Sequence, residues 1–315
     1  MGHDAFEHVA LFHDGPRELA EQIDGWTPRI SPTDAVLVSL DEAAGDAVCE
    51  VLTAHGHQVA RFEADVRYAR PAGAMRMVHD FTQQALRREA TKVWSIGRID
   101  FSNDDGRWAR YEAAVDDVLG HLPFAGICTY DAATMSDRVL ETAQRTHRDL
   151  HRDGDTAPSP TYGTAGLERL GAPWIPATRP AVDLAADDVS ACRTAVGRLG
   201  RAVGLSDGRL LDLQVVVSEL ATNAVTHGAT PASVRAWEDD ERVVVQVLDV
   251  GPGLDDPWPD LRPPSPDTVG GFGLWIVGQL ADHVAIERLG AGTTSVAAVF
   301  EGASAAAAEP AAPSR

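Results

Sequence analysis

The chain has 315 residues, which suits about two domains, and its hydrophobic content of 44% is enough for a packed core in each. Its formal net charge of −20 argues against direct nucleic-acid binding, because that needs a basic surface. An acidic chain suits contact with basic protein surfaces instead.

The three cysteines, Cys49, Cys128 and Cys192, are odd in number and widely spaced. They predict the reduced thiols of a cytosolic protein rather than a disulfide framework. No apolar run reaches the roughly 18 residues that a transmembrane helix needs, and the N-terminus lacks the pattern of a secretory signal. Phe6 stands where a myristoylation signal has Ser or Thr. We therefore expect a cytoplasmic protein with no membrane partner.

Residues 1–150 alternate short apolar runs with helical patterns. The predicted strands are residues 35–40, 59–62, 93–99 and 125–130, and the predicted helices are residues 74–90, 107–119 and 137–147. This alternation is typical of a mainly parallel sheet covered by helices.

Residues 151–182 are poorly periodic and rich in turn-forming residues, among them Pro158, Pro160, Pro173 and Pro176. This composition predicts a linker between two domains. Residues 302–315 are rich in Ala and Pro and predict a disordered tail.

Residues 183–301 return to periodic patterns. The predicted helices are residues 189–203, 210–227 and 273–283, and the predicted strands are residues 233–238, 242–249 and 293–300. Helices followed by strands in this order indicate an α/β sandwich with a helical layer on one face of a sheet.

The polar residues of this region suggest a phosphate chemistry. Glu219 and Asn223 are four residues apart and share one face of a helix. The amide oxygen of Asn223 suits Mg²⁺, and Glu219 could polarise a hydroxyl for phosphoryl transfer. Taken alone, the pair could also be two solvated polar residues.

Asp249 ends a valine-rich strand, where a carboxylate needs a partner, and the exocyclic amine of adenine would be one. The segments DVGPG at 249–253 and GGFGL at 270–274 bring backbone close to a ligand and open a helix whose amides favour anions. Each segment alone could be an ordinary turn, and the threonines at the start of the last strand could simply be favoured strand residues.

In this joint order, residues 183–301 resemble the GHKL, or Bergerat, ATP-binding fold, and most closely its RsbW-like branch of anti-sigma-factor serine/threonine kinases. ELATNAVTHG at 219–228 resembles the N box of that branch, DVGPG and GGFGL its two glycine boxes, and GTT at 292–294 its terminal strand motif. The resemblance implies ATP and Mg²⁺ as cofactors, with Glu219 as catalytic base, Asn223 as Mg²⁺ ligand and Asp249 reading adenine. The further cofactor-binding residues that it implies are Gly251, Gly253, Gly271, Gly273 and Thr293.

Two departures from the branch bear on the alternative functions, the first in favour of one and the second against another. Its members can carry a basic residue just before the second glycine box, where this chain has DTV at 267–269 and Arg262 is the nearest arginine. This departure favours a non-catalytic, ATP-dependent partner-binding switch as one alternative. The other is an atypical sensor histidine kinase, against which the proline-rich segment argues, because it offers no long dimerisation helix with a phosphoacceptor histidine.

The N-terminal segment HVALFHD at 8–14, Tyr130-Asp131 at a strand end and Thr146-His147 after a helix resemble the MEDS sensory domain, which is found fused to RsbW-like kinase domains. Over residues 1–150 this implies a RecA-like parallel α/β sensor without nucleotide hydrolysis. Strand ends of an open α/β sheet line binding crevices. The expected sensor-ligand residues are therefore His8, His13, Tyr130, Asp131 and His147, with ordinary capping and core-edge hydrogen bonds as the alternative.

The expected fold class is thus α/β, with the RecA-like sensor followed by the GHKL sandwich. The resemblance implies a signal-responsive anti-sigma regulator that binds MgATP and phosphorylates a Ser or Thr of a STAS-type anti-sigma-factor antagonist. A sigma factor or similar client is the second expected partner, and a homodimer through the ATP-binding domain is compatible with the family.

Overall fold

The structure is a computed structural model that describes residues 6–99, 106–167, 175–228, 231–239, 241–264, 271–289 and 292–302. The chain divides into two compact units, Met1–Leu170 and Gly171–Arg315. Each unit has its own sheet and its own hydrophobic core, and each is described by itself below.

The N-terminal unit alternates strands and helices as its sequence pattern predicts. Its elements are β1 Glu7–His13, α1 Pro16–Trp26, β2 Ala35–Ser39, α2 Glu42–Ala54, β3 Val59–Arg61, α3 Ala64–Arg67, α4 Pro71–Arg87, β4 Val93–Gly97, α5 Arg107–Leu119, β5 Phe124–Asp131, α6 Asp137–Thr146, β6 Asp149–Arg152 and β7 Asp155–Pro158.

The sheet of this unit has the order β3-β2-β4-β5-β1-β6-β7 and is parallel except where β6 pairs with β7. On one face, Val9 and Leu11 of β1 pack with the buried residues of α1 and α2 in an apolar core. Successive strand residues point to opposite faces, so His8, Ala10 and Phe12 face the other way. That second face carries polar side chains.

The predicted linker begins too early in the sequence. Residues 149–158 form an antiparallel hairpin, β6 and β7, which extends the N-terminal sheet through pairing of β6 with β1. Pro158 is the last residue of β7, at the edge of the sheet, where a missing backbone donor is tolerated. A short edge hairpin carries little hydrophobic periodicity, which is why the sequence pattern missed it.

The C-terminal unit is a sheet covered by helices, as predicted. Its elements are β8 Val182–Ala185, α7 Val189–Ala202, α8 Asp207–Thr226, β9 Ser233–Glu238, β10 Arg242–Val250, α9 Gly273–Leu280, β11 His283–Leu289 and β12 Thr293–Glu301. The strands form an antiparallel sheet of order β11-β12-β10-β9-β8. The predicted α/β fold class is confirmed for both units.

One predicted helix of this unit is too long. Residues 273–283 were expected to be helical throughout, but α9 ends at Leu280 and His283 begins the edge strand β11. The apolar residues Val284 and Ile286 on this strand pack against the same core as the helices. Short apolar runs do not distinguish a helix end from an adjoining strand.

The core of the C-terminal unit lies between the sheet and its helices. The apolar face of α8, with Leu213, Val216 and Leu220, is buried against valines of β10 such as Val245. The hydroxyl of Ser206 caps the start of α8 by accepting a hydrogen bond from the backbone N–H of Arg209 at 3.4 Å. This packing fixes which side of α8 faces the sheet and therefore where its polar residues lie.

No helix in the described part of the chain is long and apolar enough to cross a membrane. The predicted tail from residue 303 onward and the DTV segment at 267–269 lie outside the described residues.

Candidate functional site

A cavity of about 300 Å³ opens in the C-terminal unit, between the end of α8, the end of β10, the loop after it and the start of α9. Leu220, Ala224, Val247 and Val296 make part of its wall apolar. Polar side chains and glycines also line it. They are Asn223, His227, Gly228, Asp249, Gly253, Gly271, Gly273 and Thr294.

Glu219 and Asn223 lie together on α8 and face the start of α9. A Cβ atom built on Gly273 would lie 2.8 Å from Asn223 Nδ2 and 2.9 Å from Glu219 Oε2. Only glycine leaves room there for the two polar side chains, so the glycine at the start of α9 is a steric requirement of the site. The structure brings the predicted general base and the predicted Mg²⁺ ligand together beside the start of α9, and Asn223 lines the cavity.

Asp249 is half-buried at the end of β10, and its carboxylate has no hydrogen-bond or ion-pair partner among the described residues. Burial raises the pKa of this carboxyl above its ordinary value. Gly228 makes the position possible, because a Cβ there would come within 2.7 Å of Asp249 Oδ1. A carboxylate held in a cavity without a partner is suited to an external hydrogen-bond donor.

Of the two adjacent threonines in β12, Thr294 rather than Thr293 lines the cavity. Thr294 is paired with Asp249 across the sheet, and its Oγ1 is buried without a hydrogen-bond partner among the described residues. Thr293 follows the pleat to the opposite face and is paired with the exposed Val250. The structure therefore places Thr294, and not the predicted Thr293, on the wall of the cavity.

Two of the four predicted glycines adopt a backbone that favours glycine. Gly253 and Gly271 have φ of +83° and +78°, a region that disfavours side chains, and both line the cavity. Gly251 lies in the same loop, and its backbone N–H donates to the carbonyl of Gly292 at 3.2 Å.

Two arginines differ in their relation to this loop. Arg262, the nearest arginine by sequence, is held by Asp256 through hydrogen bonds of 2.7 and 3.1 Å. The exposed Arg288 of β11 lies beside the loop, since a Cβ on Gly253 would be 3.3 Å from its Nη1. Arg288 is paired in register with Thr294. It therefore supplies a positive charge near the cavity that the linear sequence does not reveal.

In the N-terminal unit, the five expected sensor residues fall into two groups. His8, Tyr130 and His147 lie together on the polar face of the sheet. His13 ends β1 and Asp131 ends the neighbouring strand β5, and the two residues are paired with each other in register. The structure therefore does not assemble the five residues into one crevice.

The first group includes two residues that the sequence analysis did not single out, Glu112 of α5 and Cys128 of β5. His8 Nε2 lies 3.1 Å from Glu112 Oε2 and 3.6 Å from Cys128 Sγ, and His147 Nε2 lies 3.5 Å from the same Glu112 oxygen. We call His8, Glu112, Cys128 and His147 the buried quartet. Their donor atoms all lie within 4.8 Å of one another.

Burial and mutual contact shift the pKa values of the buried quartet. Burial works against the charge of His8, but hydrogen bonds to Asp116, Cys128 and Glu112 outweigh it and raise the His8 pKa well above its ordinary value. Burial opposes the charge of Glu112 too, yet the contact with His8 lowers its pKa. Burial raises the pKa of Cys128 to about 11 and lowers that of His147 to about 4.

The second group lies at the carboxyl edge of the sheet. His13 Nδ1 donates to the carbonyl of Gly15 at 3.1 Å, and its buried Nε2 has no partner among the described residues. Burial lowers the pKa of His13. The carboxylate of Asp131 accepts from the backbone N–H of Ala133 at 3.1 Å and so closes the turn after β5.

Family models match the chain in two places that coincide with these two units. Residues 7–148 match MEDS, the methanogen/methylotroph, DcmR sensory domain, and residues 182–300 match the histidine kinase-like ATPase domain. The chain therefore contains a MEDS domain followed by a histidine kinase-like ATPase domain.

A curated relative matches over a shorter stretch. Over 156 residues the chain is 31% identical to a Streptomyces hygroscopicus subsp. limoneus protein named valienol-1-phosphate guanylyltransferase, covering 46% of this chain and 39% of that protein. The chain thus spans less than half the length of this relative. The name of the relative therefore assigns no activity to this chain.

The ATPase domain implies ATP binding, and its cavity has suitable donor and acceptor groups. The unpaired carboxylate of Asp249 and the hydroxyl of Thr294 suit the polar edge of an adenine ring. The apolar wall of Leu220 and Val247 suits the flat faces of that ring. The amide of Asn223 suits Mg²⁺, which binds few protein ligands and keeps several waters. The residues present therefore fit a magnesium-bound adenine nucleotide.

Two signals could have led to the missed residues of the MEDS domain. Glu112 and Asp116 are four residues apart in α5, where their neighbours Ala113 and Val115 are buried, so a carboxylate pair on a helix embedded in the domain was visible in the sequence. Cys128 lies in the middle of a strand, two residues before Tyr130, and so on the same face.

Proposed function

We propose that this protein is a signal-responsive protein serine/threonine kinase of the anti-sigma-factor type. Its ATPase domain binds MgATP and phosphorylates a Ser or Thr of a STAS-type anti-sigma-factor antagonist. Phosphorylation releases the antagonist, and the kinase is then free to hold a sigma factor or similar client. The MEDS domain supplies the signal input.

The convergence of Glu219 and Asn223 on Gly273 carries this proposal. Both side chains are half-buried, one turn apart on α8, and both reach within 3 Å of the Cβ position of Gly273 at the start of α9. The amides at a helix start favour anions. A general base and a hard metal ligand beside such a helix start are the groups that phosphoryl transfer needs.

Each residue has a distinct role in the proposed reaction. The Asn223 amide oxygen would hold Mg²⁺, and the ion would supply positive charge against the phosphates. The Glu219 carboxylate accepts the proton of the attacking serine or threonine hydroxyl while that oxygen bonds to the γ-phosphorus. The bond from the γ-phosphorus to its bridging oxygen breaks, and ADP leaves. Asp249 and Thr294 position the adenine ring, and Arg288 offers a positive charge beside the loop that contains Gly253.

A protein partner is compatible with the surface of α8. Leu211, Val215 and Val225 are apolar yet exposed on this helix, with 64%, 41% and 43% of their surface accessible. Exposed apolar groups on one element favour protein contact. The antagonist, the client and a second copy of this chain are the partners that the proposal assigns to the ATPase domain.

The test is transfer of labelled phosphate from MgATP to candidate STAS proteins of the same genome. We compare the wild type, Glu219→Ala and the control Asp187→Ala, which removes an exposed carboxylate of the same domain. Loss of a general base costs about 100-fold or more in rate, so Glu219→Ala should lose transfer while still binding ATP. The control should transfer at the wild-type rate.

The chemical stability of the label separates the alternatives. Acid-stable label on one STAS protein, lost in Glu219→Ala, supports a serine/threonine kinase. Acid-labile label on this chain itself supports a sensor histidine kinase. ATP binding that changes partner affinity without any phosphoprotein supports a non-catalytic switch. Equal phosphate transfer by Glu219→Ala and the wild type would refute the assignment of Glu219 as the general base.

A further inference from the structure

We propose that the buried quartet of the MEDS domain is a tetrahedral site for one Zn²⁺ ion, bound by His8 Nε2, His147 Nε2, Cys128 Sγ and a carboxylate oxygen of Glu112. These atoms come from β1, β5, α5 and the residue after α6, and they converge on one point of the domain.

Four of the six separations between the donor atoms match such a site, and all of them are within 4.8 Å. Zn²⁺ bonds of about 2.0–2.2 Å to N and O and about 2.3 Å to S give tetrahedral edges of roughly 3.4 Å between N and O and roughly 3.6 Å to S. The edges in the structure are 3.1 and 3.5 Å from Glu112 Oε2 to the two histidines. Those from Cys128 Sγ are 3.6 Å to His8 and 3.5 Å to Glu112.

Both histidines are oriented as metal ligands are. His8 Nδ1 donates to Asp116 at 2.9 Å, and Asp116 in turn accepts from Arg148 and Tyr162 at 2.8 Å each. His147 Nδ1 lies 2.9 Å from the carbonyl of Ala143, which can only accept. With a proton on each Nδ1, each Nε2 is the nitrogen that faces the quartet and binds the ion once it carries no proton. A ligating histidine that donates its other N–H to a carboxylate or carbonyl is the usual second layer of a metal site.

Hydrogen bonding alone leaves one member of the quartet unsatisfied. His147 is fully buried, and its Nε2 has no hydrogen-bond partner among the described residues. With Nδ1 protonated, the Nε2 lone pair faces the Glu112 oxygen at 3.5 Å, and both atoms are acceptors. Two buried acceptors opposed in this way are costly unless a cation lies between them.

The packing of the strands also makes room for the site. A Cβ on Gly126 would lie 3.3 Å from the His8 ring, so glycine on the neighbouring strand accommodates the imidazole. The ring centroids of His8 and His147 are 4.0 Å apart, and the ring planes are tilted by 40°. The side chains of His8, Glu112 and His147 are 0%, 1% and 0% exposed, and Cys128 is the half-buried member of the quartet.

Charge and ligand type select the ion. Binding displaces the proton from the Cys128 thiol and the one on His8 Nε2, both of which pass to solvent. The thiolate and the Glu112 carboxylate then balance the two positive charges, while Asp116 stays paired with Arg148. Two imidazoles, one thiolate and one carboxylate in a tetrahedron suit Zn²⁺, whereas Mg²⁺ and Ca²⁺ need oxygen ligands. Four protein ligands leave no open position, so the ion has a structural role.

The experiment measures metal binding by the untagged full chain. Reduced protein is loaded with Zn²⁺, freed of excess ion and assayed for metal by mass spectrometry. A parallel sample is loaded with Co²⁺ and its absorption spectrum is recorded. We expect about one ion per chain and, with Co²⁺, the intense visible bands of a tetrahedral site together with a thiolate-to-metal charge-transfer band.

The matched variants are Cys128→Ser and Cys49→Ser, since Cys49 is a second half-buried cysteine of the MEDS domain that lies outside the quartet. Cys49→Ser should keep the metal and the charge-transfer band, and Cys128→Ser should lose the band. Wild-type protein that retains no Zn²⁺ and shows no thiolate band with Co²⁺ would overturn the site, whatever the variants do. So would a band that persists in Cys128→Ser and disappears in Cys49→Ser.

Discussion

The buried quartet of the MEDS domain and the cavity of the ATPase domain use similar residue types in opposite ways. In the quartet, the polar side chains face one another, and those of His8, Glu112 and His147 have almost no exposed surface. In the cavity, Asp249 and Thr294 face a space of about 300 Å³ and have no side-chain partner among the described residues. Groups that converge on one another suit a small ion, and groups that line a cavity suit an organic ligand.

The same contrast appears in the causes of the pKa shifts. The pKa of Asp249 is raised by burial alone, without a compensating charge. The pKa of Glu112 is lowered despite complete burial, because His8 and His147 face it. A carboxylate without a partner is poised for an external ligand, while a carboxylate with built-in partners stabilises its own domain.

The largest effect that would sharpen this contrast is expected for Asp249→Asn. Loss of a hydrogen bond to an ionised acceptor costs about 1.5–3 kcal/mol, or about 10- to 100-fold in ATP affinity. The measurement is ATP titration by calorimetry, with the exposed Asp187→Asn as control. The folded ATPase domain should not lose stability, because ionised Asp249 is desolvated without a partner. Unchanged ATP affinity in Asp249→Asn would contradict the role of Asp249 as a group that binds an external ligand.

The pH dependence of this titration has a defined sign. Because burial raises the pKa of Asp249, the ionised form that accepts from adenine is lost, as the pH falls, at a higher pH than for an exposed aspartate of pKa about 4. Wild-type affinity should therefore fall toward that of Asp249→Asn as the pH is lowered into this range. The ratio of the two affinities removes the titration of the ATP phosphates themselves. A ratio independent of pH would contradict the role of the carboxylate.

A smaller effect separates two neighbouring residues. Thr294→Val removes a buried hydroxyl that lines the cavity and should weaken ATP binding about 2- to 10-fold, the worth of one ordinary hydrogen bond. Thr293→Val is the matched control, because Thr293 lies on the other face of β12, and ATP should bind it as tightly as the wild type. If Thr293→Val were the weaker binder, the face assigned to each threonine would be wrong.

The sequence patterns predicted the cavity far better than the quartet, for a physical reason. Glu219 and Asn223 are one helical turn apart, and Asp249 and the glycines lie in short motifs, so local spacing was enough to place them together. The quartet depends on contacts across 104 residues between His8 and Glu112 and 120 residues between His8 and Cys128. Those contacts follow from the pairing of β1 with β5 and the packing of α5, which no local pattern encodes.

The choice between Thr293 and Thr294 shows the limit of motif reading at finer scale. A shift of one residue in a strand moves a side chain to the opposite face, so a motif of two threonines cannot tell which one lines the site. The register of β12 against β10 decides it, because Thr294 is paired with Asp249. Arg288 was missed for the same kind of reason, since strand pairing, and not the glycine motif, places it beside Gly253 of the loop.

The measurement that tests the central claim most directly is hydrogen–deuterium exchange of the full chain with and without saturating MgATP. The account predicts slower exchange at residues 219–228, 249–254 and 271–274, around the cavity, and unchanged exchange in β1, α5 and β5, around the quartet. Protection within residues 7–148, or none around the cavity while ATP is bound, would contradict the assignment of the nucleotide to the cavity of the ATPase domain.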